Sequence, residues 1–97
     1  MSFNVTSDLY ELVIPSLASI SGAYGCIVRK ADDTQTPWFT GCEGQEDVAS
    51  LQSLIDKGRL DLFEACCAEY FTEGSPVYIN GQIAHINQDG IAVIDKE

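Results

Sequence analysis

Positive charge is what this chain has least of. Only five Lys and Arg stand against fifteen Asp and Glu in 97 residues, a formal charge of −10. That exceeds the magnitude of about 2–8 usual for a small soluble domain. Between residues 60 and 95 no Lys or Arg occurs at all. A field of this sign disfavours DNA, RNA and anionic lipid as direct ligands and favours basic partners. Two small basic pairs, Arg29-Lys30 and Lys57/Arg59, do not amount to a nucleic-acid-binding patch.

Other shortages narrow the field further. There is one histidine, His85, and no motif supplies it with a nucleophile or an orienting partner, so a general base is not expected. The four cysteines, Cys26, Cys42, Cys66 and Cys67, form no C-x-x-C. Adjacent cysteines seldom pair, and the set lacks the spacing of a zinc site. Free thiols in a reducing cytoplasm are the expectation, with Cys66 and Cys67 buried as packing. A Cys-His pair is the one enzyme alternative these residues leave. Neither Asp32-Asp33 nor the 87–90 turn has the length of a calcium loop, and no phosphate-cradling glycine loop occurs, so no cofactor or metal is expected. The chain begins without a positive region or a cleavage site for secretion. Residues 9–28 hold only one charge until the end of the stretch, but Glu11, Pro15 and the Ser/Gly-rich middle argue against a membrane span.

What is present organises itself around residues 76–95, PVYINGQIAHINQDGIAVID. Asn80-Gly81 between two apolar runs predicts a hairpin with a two-residue turn, Ile79 opposite Gln82 and Val77 opposite Ala84. Closing 87–90 as a four-residue turn places Ile86 opposite Ile91 and Ala84 opposite Val93. One face then carries Val77, Ile79, Ala84, Ile86, Ile91 and Val93. The other carries Tyr78, Ile83, His85, Ala92 and Ile94, and both look apolar enough to need cover.

Upstream, Met1–Thr6 reads as an edge strand or a loose arm. Asp8 and Glu11 resemble a capping box, and Leu9, Leu12 and Val13 repeat at helical spacing up to Pro15. Pro15 can also open a second helical turn holding Leu17 and Ile20. Residues 23–30 read as a strand, and residues 36–42 as its returning partner, carrying Trp38. Residues 45–57 form the clearest helix, with the stripe Val48, Leu51, Leu54, Ile55. A second, 60–72, turns Leu62, Phe63, Cys66, Cys67 and Tyr70 to one side. The whole, 1–97, reads as a single α+β domain in the order α-β-β-α-α-β-β-β, with helices packed on an antiparallel sheet and a C-terminal three-stranded meander.

The remaining signal is where the acids fall. Glu43, Glu46, Asp47, Asp56, Asp61, Glu64, Glu69 and Glu73 lie within 43–73 against Lys57 and Arg59. Helix carboxylates three or four residues apart lie about 5–6 Å from one another, a spacing that can imitate successive phosphates. A small acidic domain of this kind resembles the phage-encoded inhibitors of host defence, the DNA-mimic antirestriction and anti-CRISPR proteins. The resemblance implies a non-enzymatic inhibitor, in the cytoplasm of the host cell, that blocks the basic nucleic-acid-binding surface of a protein or ribonucleoprotein complex. Asp61, Glu64 and Glu69 are the leading expected contacts, with Glu46, Asp47, Glu73 and Glu43 beside them. The alternative is a protein-interaction domain using exposed aromatics, Trp38, Tyr70 and Phe71, its charge serving solubility.

Overall fold

The computed structural model describes residues 5–15 and 22–95. Its strands are β1 (Val5–Thr6), β2 (Tyr10–Val13), β3 (Ala23–Arg29), β4 (Thr34–Gln35), β5 (Phe39–Thr40), β6 (Pro76–Ile79), β7 (Gln82–Ile86) and β8 (Ala92–Ile94); α1 (Gly41–Asp56) and α2 (Leu60–Glu69) lie between β5 and β6. The strands join in one antiparallel sheet in the order β1-β2-β3-β4-β6-β7-β8, with β5 also on β3. The fold is α+β, and its core lies between the inner sheet face and the helices. Tyr10, Leu12, Ile27, Val77, Ala84 and Ile86 meet Val48, Leu51, Phe63, Cys67 and Phe71 there.

The expected first helix is a strand where it is described. Ser7 Oγ accepts the backbone N–H groups of Leu9 and Tyr10, and Ser7 N–H donates to the Tyr10 carbonyl at 2.8 Å. That tight turn reverses the chain into β2, whose burial alternates with period two: Tyr10 and Leu12 inward, Glu11 and Val13 only partly covered. An apolar run this short fits either period, and pairing with β3 decides it. The further turn expected at Leu17 and Ile20 lies outside the described residues.

The expected return strand 36–42 is broken in two. Pro37 has no N–H to give a ladder. Thr36 repairs the gap on its N-terminal side: its N–H donates to the Ile27 carbonyl at 2.9 Å and its Oγ1 accepts the Ile27 N–H at 3.0 Å. The chain rejoins β3 as β5, and α1 starts at once, four residues earlier than expected. Gly44 permits that sharp entry, because a Cβ there would stand 2.5 Å from the Phe39 carbonyl carbon.

In the C-terminal meander the first hairpin has the expected register, Ile79↔Gln82 and Val77↔Ala84. Asn80 and Gly81 both take positive φ, 49° and 80°. The second hairpin is displaced by one residue: Ile86 faces Ala92, and Ala84 faces Ile94. Asn87 N–H donates to the Ile91 carbonyl, and Asn87 Oδ1 accepts the N–H groups of Asp89 and Ile91, leaving a three-residue loop that ends at Gly90 with φ 79°. A one-residue slip exchanges faces. Ala92 therefore packs inward, whereas Ile91 and Val93, expected on the face of Val77 and Ile86, are exposed on the outer side.

Among the described residues, only the inner face is covered. On the outer face Ile83 is 61% exposed and His85 lies opposite Val93, not Ala92. On α2, Leu62 is exposed and Cys66 only partly covered, so the buried stripe is Phe63 and Cys67, continued by Phe71.

Candidate partner-binding surface

Most of the expected acids are exposed on the helices. Glu43, Glu46 and Asp47 are exposed in the first turns of α1, whose buried face is Gly44, Val48 and Leu51. Asp61 and Glu69 are exposed on α2, Glu73 is exposed just after it, and Glu64 is partly covered. Glu43 and Asp61 occupy first helical turns, where the positive end of the helix dipole favours carboxylates. Asp61 is also held by Arg59, whose Nε lies 3.4 Å from its Oδ1, and its carboxyl is held below the usual range chiefly by that hydrogen bond.

The three leading candidates do not leave α2 together. At about 100° per residue Glu69 stands roughly 140° around the helix from Glu64. Glu64 lies on the side of Tyr10, whose hydroxyl pKa is raised chiefly by burial, with a smaller contribution from Glu64. Glu69 lies at the other side with Tyr70. The Tyr70 hydroxyl is pushed up first by burial and then by the Asp47 carboxylate of α1, with a smaller contribution from Glu69. Carboxylates from separate helices, Asp47 and Glu69, thus both act on the Tyr70 hydroxyl, and Glu64 is set apart.

Two of the cations are engaged elsewhere. Arg29 donates from Nε and Nη2 to the two oxygens of Asp32, and from Nη1 to the Gly90 carbonyl at 2.9 Å; its guanidinium lies 5.1 Å from the Phe71 ring centroid. Lys30 Nζ donates to the Ser7 carbonyl at 2.9 Å. Among the described residues, no Lys or Arg forms an ion pair with Glu43, Glu46, Asp47, Glu69 or Glu73.

The aromatic alternative divides as well. Trp38 is 43% exposed, Tyr70 is partly covered, and Phe71 is buried against Tyr10 with ring centroids 5.6 Å apart. Trp38 stands instead beside Pro37, Phe39, Tyr70 and Pro76, around a cleft of about 240 Å³ whose rim includes Glu69. Nothing periodic in the sequence joins residues 37–39 to 70 and 76, so only the aromatic and proline content of each stretch hinted at it.

His85 Nδ1 lies 2.5 Å from Asp95 Oδ1 on the outer sheet face. The cysteines of α2 lie on the opposite side of the sheet, so the Cys-His pair is not assembled. Among the described residues no group of three or more His, Cys, Asp or Glu is placed to hold a metal ion, and no helix is long and apolar enough to cross a membrane. The class defined by fold and surface is a two-layer α+β domain with an acidic helical layer. Compared with known protein families, curated proteins and solved structures, the chain finds no match.

Proposed function

We propose that the chain is a non-enzymatic binding protein whose helical layer takes the place of nucleic-acid phosphates on a basic surface. Its partner is a nucleic-acid-binding protein or ribonucleoprotein complex, and its mode of action is stoichiometric blocking, as in the phage-encoded inhibitors of host defence that it resembles. Such an inhibitor acts in the cytoplasm of the host cell. The observation that carries the reading is the set of exposed carboxylates on and beside the helices, Glu43, Glu46, Asp47, Glu69 and Glu73, with no Lys or Arg ion pair among the described residues. A carboxylate row that engages Lys and Arg replaces the phosphates which those residues would otherwise neutralise.

The test begins with capture of partners from cells containing nucleases and CRISPR effectors. The captured complex is then offered labelled DNA or RNA while this protein is titrated in. Nucleic-acid binding should fall, with saturation near one inhibitor per site. The triple variant Glu43→Lys, Glu46→Lys, Glu73→Lys should weaken competition at least tenfold at low salt and flatten its salt dependence. Single reversals should do little, because exposed charges contribute weakly one at a time. Equal competition by wild type and triple variant at low and moderate salt would sink charge mimicry.

A further inference from the structure

Among the described residues, the cleft between Trp38 and Tyr70 combines aromatic walls with a carboxylate, Glu69, that no Lys or Arg pairs. One wall is the chain from Pro37 to Phe39, where Pro37 has broken the strand; the other is Tyr70 at the end of α2, with Pro76 opening β6. The Phe39 and Tyr70 rings meet at a centroid distance of 5.2 Å and an angle of 49°, and the exposed Trp38 lines the same cleft. Glu69 lies at the rim, and Asp47 is near enough to act on the Tyr70 hydroxyl. The last turn of α2 holds no basic residue, so the negative end of its dipole also points here uncompensated. At about 240 Å³ the cleft is smaller than the roughly 300–1,000 Å³ of pockets for drug-sized ligands, and suits one side chain.

The geometry points to this cleft as a socket for the guanidinium of an arginine in a basic partner segment. Aromatic faces attract cations, and a flat guanidinium stacks on a ring while its N–H groups reach a carboxylate. Lysine lacks the plane and the fork, so it fits less well. The chain already uses this combination internally, where Arg29 lies over Phe71 with Asp32 on its fork. The inference rests on the proposed function in one respect, that the partner is basic. It adds a single anchoring contact to a diffuse charged surface.

The experiment uses the full chain, labelled with ¹⁵N, titrated with acetyl-Gly-Arg-Gly-amide at physiological salt. The lone tryptophan supplies one indole N–H signal, and the Phe39 and Tyr70 amides distinguish this cleft from the others that Trp38 lines. Saturable shifts are expected at that signal and at the Phe39 and Tyr70 amides. The citrulline peptide, of the same shape without charge, should bind at least tenfold more weakly, and the lysine peptide several-fold more weakly. Glu69→Gln and Trp38→Ala change exposed groups and should keep the backbone spectrum while weakening the arginine peptide at least threefold. Glu43→Lys, Glu46→Lys, Glu73→Lys should leave the preference for the arginine peptide over the citrulline peptide in place, because none of these three residues lines the cleft. Equal binding of the citrulline peptide, or shifts spread over the acidic helices and not centred on Trp38, would overturn the socket. Equal binding of the lysine peptide would overturn the guanidinium assignment. If the socket fails while the triple reversal still abolishes competition, only this inference falls. If the socket binds arginine while the triple reversal competes like wild type, charge mimicry falls and the socket stands.

Discussion

Arg29 shows what a scarce residue does in an acidic chain. It rises from β3, clamps Asp32 in the following turn, donates to Gly90 in the β7–β8 loop and covers Phe71 after α2. One side chain so ties three regions distant in sequence, and it is spent on the fold. The cysteines separate in a similar way. Burial pushes the thiol pKa of Cys67 up to about 12 and that of Cys26 to about 11, whereas Cys42 is exposed and Cys66 half covered. Thiolate is the reactive form, so burial and a raised pKa act together. Iodoacetamide on the native protein at neutral pH should therefore modify Cys42 first and Cys66 more slowly, leaving Cys26 and Cys67 until the chain is unfolded. Peptide mass mapping against time reads the order directly; early labelling of Cys67 would show that α2 opens.

At the scale of elements, the two hairpins of the meander are governed by different loops. The Asn80-Gly81 turn holds both residues in left-handed backbone, a conformation that costs a residue with a Cβ about 1–2 kcal/mol. Gly81→Ala should lower unfolding stability by about that amount, seen as a lower denaturant midpoint at unchanged slope. It touches no inward-facing side chain, so the core should keep its packing. In the second hairpin Asn87 gathers the N–H groups of Asp89 and Ile91, and its choice of a three-residue loop decides which of Ile91, Ala92, Val93 and Ile94 faces the helices. The same logic explains β2: pairing with β3 imposes period two on residues that at helical spacing also make a stripe.

For the molecule as a whole, the charge balance opposes compactness. Fifteen acids and five bases must be held within a small domain, and self-repulsion among exposed carboxylates favours expansion. Salt screens that repulsion, since the Debye length falls from about 30 Å at 0.01 M to about 10 Å at 0.1 M. The thermal midpoint should consequently rise between these concentrations, as followed by circular dichroism at neutral pH. A falling midpoint would mean that the ion pairs of Arg29 and Arg59 outweigh the surplus acids. Partner binding should show the opposite trend and weaken with salt, so stability and affinity would move apart in one titration.

Charge, the α+β class, both helices, the first turn of the meander and its register were legible in the chain, because each follows from residues close together. Val48, Leu51 and Ile55 mark a helix face by spacing alone, and Asn-Gly marks a turn by the φ that each residue tolerates. The break at Pro37 was not foreseen in the strand expected over 36–42, and its repair by the hydroxyl of Thr36 required knowing where Ile27 lies. The acids were legible as a set and not as an arrangement. Glu64 and Glu69 share a helix yet diverge around it, whereas Asp47 and Glu69 come from different helices yet both act on the Tyr70 hydroxyl. Tertiary structure alone brought Trp38, Tyr70 and Pro76 to one cleft and chose period two for β2. Such choices rest on which backbone groups find partners and which apolar faces find cover, and those partners lie tens of residues away.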